Sequence, residues 1–393
     1  EVPDDGLTRR PERVSAAGLI EDFGLSPRGE RALFAARGEI FTVPIENGVT
    51  RALVNSSKVH AKAPIWSPDG STIAYLSDAS GEEELWLVRQ DGSEPPRRLT
   101  KGGTAMRFAP SWSPDGSAIA FVDKEGKILV ADVATGDLVE AADSPEGRST
   151  DHVWSPDSRF LAFSLPRPNG NRALFIWSRD AENPETALQQ ITDEFFDAFE
   201  PAWGPEGDYL YYLANHDFAP QISAIEWNYA GNLMTGAFAL ALRKDVPHPF
   251  PPQSDEVVVQ PKSDTDEDTS DKEGQDQPKP DRDDKDTSDK ADEQGKVKPL
   301  RIDFDGLAER VARVPIDAGN LKGLSAVPGH LVFARTPAFF YGRSGDSKPS
   351  LRVFDLKKRE EATLADDLAG YALSRDGKKA LIRQGPAFGL FDV

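Results

Sequence analysis

Apolar and polar residues alternate along this chain in short runs, and the runs recur in a fixed order. An apolar stretch ends in Trp, a Ser-Pro-Asp-Gly turn follows, and then comes an alternating segment such as Thr72-Ile73-Ala74-Tyr75-Leu76 or Ala118-Ile119-Ala120-Phe121-Val122. Successive side chains of a strand point to opposite faces, so a period of two predicts strands. The turn chemistry agrees: Pro presets φ, Asp bonds back onto its own backbone and Gly accepts φ > 0, which together specify a tight hairpin. A third run, Leu85-Trp86-Leu87-Val88 or Lys127-Ile128-Leu129-Val130, leads through a second turn (Asp91-Gly92, Thr135-Gly136-Asp137) to a short fourth run such as Arg97-Arg98-Leu99-Thr100. The unit is four short antiparallel strands.

That unit repeats. Trp-Ser-Pro-Asp-Gly stands at 66–70 and again at 112–116, and degenerate copies are Ser26-Pro27-Arg28-Gly29, Trp154-Ser155-Pro156-Asp157, Trp203-Gly204-Pro205-Glu206-Gly207, Ala326-Val327-Pro328-Gly329 and Ser374-Arg375-Asp376-Gly377. The steps between them are 41, 46, 42, 49, 123 and 47 residues, and a period of roughly 40–50 belongs to propeller blades. One blade cannot bury both faces of its sheet, whereas blades stacked around an axis cover one another and leave only short edges. The predicted fold is therefore all-β: a seven-bladed β-propeller of four-stranded antiparallel blades at about 19–55, 58–101, 104–143, 148–193, 197–250, 300–365 and 366–393, the last one open to a contribution from the N-terminus. Trp66, Trp112, Trp154 and Trp203 are read as inter-blade packing, because an aromatic at a fixed place in every repeat is architecture.

Composition explains the long step. Single domains usually stop growing near ~250–300 residues, and this chain has 393, of which 28% are charged. From 251 to 298 nearly every residue is Asp, Glu, Lys, Ser, Thr, Gln or Pro. Such a run cannot bury enough surface to offset the entropy of ordering, so a disordered acidic insertion is expected there. Residues 251–300 carry 16 acidic and 8 basic side chains, which leaves about −12 of the formal −20 on the folded part. Nucleic acid and anionic membrane are poor partners for such a surface, and neither is expected. No apolar run approaches the ~18 residues of a membrane helix. With no cysteine, disulfides, thiol catalysis and thiolate metal sites are excluded, and cytoplasm and periplasm are both compatible. The opening Glu1-Val2-Pro3-Asp4-Asp5 is not a signal peptide, and a start without Met suggests an excised domain or a processed chain.

The chain is poor in catalytic motifs. It has no Gly-x-Ser-x-Gly elbow, no His-Glu-x-x-His and no phosphate-cradling glycine loop. Its five histidines are scattered, and Asp264-Thr265-Asp266-Glu267-Asp268 lacks the glycine and the bidentate Glu of a calcium loop. No catalytic residue, cofactor or metal is expected. Loops that feed the innermost strands of a propeller converge on its channel mouth. Here they precede each Trp-turn and contain His60, Lys62, Arg107, Arg148, Asp151, His152, Asp197 and Glu200, a mixed-charge set suited to an extended peptide.

Repeats of the form Pro-x-Trp-Ser-Pro-Asp-Gly occur in TolB-like propellers and in propellers of several serine peptidases. Two further segments narrow the field. Leu240-Ala241-Leu242-Arg243-Lys244-Asp245-Val246-Pro247-His248-Pro249-Phe250 leads into the acidic run, and Ile302-Asp303-Phe304-Asp305-Gly306-Leu307-Ala308-Glu309-Arg310 with Val314-Pro315-Ile316-Asp317-Ala318-Gly319-Asn320 follows it. In this order they resemble the second, seven-bladed propeller of tricorn-type serine peptidases, over essentially the whole chain. The resemblance implies a non-catalytic gate or channel that admits unfolded peptides to a proteolytic chamber built by other domains of a parent peptidase. It also implies those domains as partners, assembly into a homo-oligomer through the parent, and a ring closed without a strand lent from the N-terminus to the last blade. Ser15-Ala16-Ala17-Gly18 is indeed a poor candidate strand. The family's catalytic residues have no matching positions in this sequence. The competing readings are a free-standing TolB-like propeller that docks protein partners, and an enzyme with catalysis at its channel mouth.

Overall fold

The computed structural model describes residues 15–56, 58–147, 149, 151–217, 220–222, 229–252, 299–338 and 348–393. The insertion expected at 251–298 lies almost wholly outside them. Seven antiparallel sheets follow one another along the chain, six with four strands and the last with three, and a two-stranded hairpin, Pro220–Ile222 with Tyr229–Gly231, branches from the fifth. The seven first strands are Ile20–Leu25, Ala61–Trp66, Arg107–Trp112, His152–Trp154, Ala198–Trp203, Asn320–Val327 and Leu368–Leu373. Successive first strands touch, the last touches the first, and Tyr371 of the seventh reaches Ser325 of the sixth. The structure is thus a seven-bladed propeller whose first strands surround the axis.

Alternation puts one face of each sheet against the blade before and the other against the blade after, so the core is a series of inter-blade clusters. Between the fourth and fifth blades lie Phe160, Ile176, Trp203, Leu210 and Leu240. The turn Trp residues serve this packing: Trp154 Nε1 donates to Ser111 O at 3.2 Å, and Trp203 Nε1 to Val153 O at 3.0 Å, each a carbonyl of the preceding blade. The seam between the last blade and the first is the thinnest. Its buried set is Leu25, Ala32 and Leu381, three residues against fifteen between the third and fourth blades. Phe388 completes it, standing edge-on to Phe23 and Phe34 with ring centroids 5.0 Å away in each case. Among the described residues no strand is exchanged across the seam, and Ile20–Leu25 pairs with Arg31–Ala36.

The fifth sheet straddles the acidic segment. Its fourth strand is Val311–Arg313, which the sequence reading had grouped with the sixth unit at 300–365 and which pairs with Thr235–Ala241. The two segments that flank the insertion are tied to each other. Lys244 N donates to Asp303 Oδ2 at 3.0 Å, Lys244 Nζ pairs with Asp305 at 2.8 Å, and Asp303 N donates to Leu242 O at 2.9 Å. Leu300 and Leu307 bury into the cluster between the fourth and fifth blades. Whatever the length of the insertion, it leaves and rejoins the ring at a closed base.

Candidate functional site

The turns after the first strands build one mouth of the channel. In four of them the Ser hydroxyl donates to the Asp two residues on (Ser67 to Asp69 at 2.5 Å, and Ser113, Ser155 and Ser374 to Asp115, Asp157 and Asp376 at 2.6 Å). The same oxygen accepts the N–H five residues on, at 2.9–3.0 Å. These bonds favour the ionised carboxylate. They hold Asp69 down to about 2, with the Ser67 hydroxyl the largest cause, and Asp376 is lowered for the same reason. Neighbouring turns interlock. Gly377 has φ +69°, and a Cβ there would come within 2.6 Å of Val327 in the sixth turn, so only glycine fits.

Four walls of the channel carry a bulge at a left-handed residue. Ala63, Ala109 and Glu200 have φ of 48–49°, each precedes a proline, and the ladder register slips beside them; Gly323 (φ 67°) does the same in the sixth blade. A bulge frees N–H groups from the ladder, and carboxylates from the blade before take them. Ala63 N donates to Asp22 at 3.0 Å, Glu200 N to Asp151 at 2.7 Å, and Leu324 N to Glu200 at 3.0 Å. Asp151 and Glu200 thereby form a relay across three blades. Asp151 also accepts both the N–H and the hydroxyl of Ser164 at 2.7 Å. Burial raises the pKa of both carboxyls above the ordinary carboxylate range, against the pull of these donors.

Three of the eight residues expected at the mouth, Asp151, His152 and Glu200, line one continuous cavity of about 740 Å³ beside the axis. The ring nitrogens of His152 are withdrawn from solvent beside the peptide groups of Ala109 and Ala120, without a well-formed hydrogen bond. Burial lowers its pKa to about 4, so the ring is neutral at pH 7. The others are engaged elsewhere. His60 is exposed, 3.7 Å from Glu21. Lys62 pairs with Glu83 at 2.6 Å and lies over the Phe108 ring. Arg107 is only 3% exposed, with Nη1 2.7 Å from Glu84, itself 2% exposed. Asp197 receives Arg172 bidentately at 2.8 Å. Arg148 lies outside the described residues. Among the described residues no group of three His, Asp or Glu is placed to hold a metal ion, and no helix is long and apolar enough to cross a membrane.

Sequence reasoning missed Arg375. Its Nη1 donates to Pro68 O at 3.0 Å, its Nη2 to Pro114 O at 2.9 Å and its backbone N to Pro27 O at 3.0 Å. One residue of the last blade thus binds the turns of the first, second and third. It also lines the Asp151 and Glu200 cavity, a second cavity of about 400 Å³ walled by Phe23, Trp66 and Trp112, and a groove between the second and third blades. A signal was present in the repeats. Six of the seven turns place Pro after their first residue, at 27, 68, 114, 156, 205 and 328, and the seventh places Arg375 there.

Residues 20–393 match the family described as the tricorn protease second beta propeller domain. The chain is similar to "Tricorn protease homolog 1" of Streptomyces coelicolor, 26% identical over 88% of this chain and 31% of that one. It is also 26% identical to the "Tricorn protease" of Thermoplasma volcanium, over 58% of this chain and 22% of that one. It therefore spans about a third or less of these curated relatives. Among solved structures, the crystal structure of the tricorn protease superposes with a TM-score of 0.73 at 16% identity, covering 98% of this chain and 34% of that one. An oligogalacturonate lyase from Vibrio parahaemolyticus reaches 0.60 at 11% identity. At such identities the likeness concerns fold alone.

Proposed function

Because the chain belongs to the family of tricorn protease second β-propeller domains, we propose that it is a non-catalytic channel that admits unfolded peptides to the proteolytic chamber of a parent serine peptidase. The observation that carries this reading is the cavity along the first strands, which Arg375 lines while its guanidinium spans the turns of the second and third blades. An extended chain could occupy such a passage where a folded domain could not, so selection would act on size before sequence. The walls favour general over specific contacts. They offer bulged backbone, prolines and two carboxyls already committed to neighbouring N–H groups, and no nucleophile paired with a base. The partners under this reading are peptide substrates and the remaining domains of the parent, through which copies would assemble.

The test compares the purified chain with its full-length parent on an unfolded protein and on a short fluorogenic peptide. Only the parent should cleave. Within the parent, Ser325→Trp, which narrows the cavity wall, should slow cleavage of the long substrate more than of the short one. Cleavage by the isolated chain, or equal slowing of both substrates, would overturn the reading.

A further inference from the structure

The collar that Arg375 occupies has the chemistry of a receptor for cations. Its acceptors are two peptide carbonyls, from Pro68 and Pro114, and no carboxylate is bonded to the guanidinium. Beyond it in the cavity lie Asp151 and Glu200, with His152 neutral at pH 7, so among the described residues Arg375 is the only cationic side chain in that wall. The groove side is mixed in charge, with Asp69, Glu94 and Asp115 facing Arg89 and Arg97, so what singles out the Arg375 position is its pair of carbonyl acceptors. A donor-only group placed among carbonyls and carboxylates matches them, and a second such group could replace it without changing an acceptor. An arriving carboxylate, an acceptor only, would instead meet two carbonyl oxygens and find no donor among them.

We propose that Arg375 is an intramolecular stand-in for a cationic group of the incoming chain, and that the mouth preferentially admits peptides led by an N-terminal ammonium or by Arg or Lys, which displace it. This rests on the channel reading above and adds to it a substrate class and a closed state. The guanidinium comes from the last blade and its acceptors belong to the second and third, so the exchange also releases a bond that spans the ring. Its two hydrogen bonds go to neutral acceptors of partly exposed turns, which makes the contact weak enough to exchange.

The first experiment needs no peptide. Arg375→Ala vacates the collar, and methylguanidinium at 5–50 mM, about the range expected for a single weakly bound cation, should raise the melting temperature of the variant saturably relative to the wild type at equal concentrations. Identical responses of the two proteins would overturn the proposal. The second measures binding of fluorescent extended peptides of equal length bearing basic, neutral or acidic leading residues. Arg375→Ala should bind the basic peptide roughly tenfold more tightly than the wild type does, a change of about 1.4 kcal/mol, with the neutral peptide little affected. Should the wild type prefer acidic peptides and lose that preference in Arg375→Ala, the arginine is itself the recognition group and the proposal falls. Binding independent of charge would remove the substrate class while leaving the channel standing; binding of no peptide would remove the channel reading as well. Arg375→Lys, which keeps a donor but not the fork, separates loss of the cation from loss of fold: it should retain the wild-type melting temperature more closely than Arg375→Ala does.

Discussion

Arg107→Met separates a channel residue from a core residue. Arg107 and Glu84 are 3% and 2% exposed, and they form an ion pair at 2.7 Å in which Thr100 joins both partners: its hydroxyl lies 2.5 Å from Glu84 Oε2 and 2.5 Å from Arg107 Nη1. Gly103 N donates to the other carboxylate oxygen at 2.7 Å. Methionine fills much of the arginine's volume but supplies no charge, so Glu84 is left ionised and buried with two neutral donors. Removing one partner of a buried pair costs about 3–5 kcal/mol, chiefly through the charge left behind. If the ring unfolds as a unit, the 313 described residues at about 2.1 cal/mol/K each give an unfolding entropy of ~0.7 kcal/mol/K, and the midpoint should fall by about 4–7 °C.

The assay is urea and thermal unfolding followed by tryptophan fluorescence and calorimetry, with Glu84→Gln and the double variant completing a cycle. Replacing the stranded carboxylate should recover part of the loss, giving a coupling of about 1–3 kcal/mol. Peptide affinity, measured well below the midpoint, should not change. A loss under about 1 kcal/mol, or an additive cycle, would refute the argument from burial. Lost peptide binding with unchanged stability would return Arg107 to the channel.

Two further outcomes are expected. Phe388→Ala should cost about 1–3 kcal/mol, below the 3–5 typical of a fully buried aromatic because Phe388 is half-buried; since it sits in the thinnest seam, it should also speed proteolysis of the native ring, and an unchanged rate would count against opening there. The depressed pKa of Asp69 contributes stability that is present above its unfolded value near 3.8 and is lost as pH falls through about 2. Ser67→Ala removes the largest cause, so carboxyl NMR should find Asp69 titrating closer to 3.8 in the variant, and a value still near 2 would show that the N–H and hydroxyl of Ser71 suffice together.

The blades were legible because what specifies them is local: a period of two, and a turn whose Ser, Asp and Gly each bond within five residues. The segments around the acidic run were legible as motifs but not as a clasp, since Lys244 meets Asp303 and Asp305 only when both strands enter the fifth sheet. The site was harder. Arg107, like Asp151 and Glu200, precedes a Trp-turn, yet it begins a first strand and finds Glu84 in the blade before, so its burial depends on the ring closing. Glu200 was identified as a mouth residue; that its carboxylate secures a bulge in the sixth blade follows from a contact 124 residues away. Arg375 was the reverse case. The departure from Pro was visible in the repeats, but its meaning requires knowing that the seventh turn faces the second and third.

The position of Arg375 ties the mouth to the seam. The last blade meets the first through three buried apolar residues and the Phe388 ring, and the same turn that carries Arg375 also gives its N–H to Pro27 of the first blade. That N–H and Arg383 Nη1, which donates to Ile20 O at 3.1 Å, brace the joint where apolar burial is least. Blade-to-blade burial is non-directional and grows with area, so a ring without strand exchange should yield first at its smallest cluster. A cation that displaces the guanidinium removes the two bonds that run past that joint from the last blade to the second and third, and the aperture and the seam should loosen together. Hydrogen exchange can read that coupling: in Arg375→Ala, amides of Leu368–Leu373 and Ile20–Leu25 should exchange faster, while those of Phe160–Pro166, between the larger clusters of the fourth blade, should not change. Uniform acceleration in all three strands would mean that Arg375 stabilises the ring globally and gates nothing.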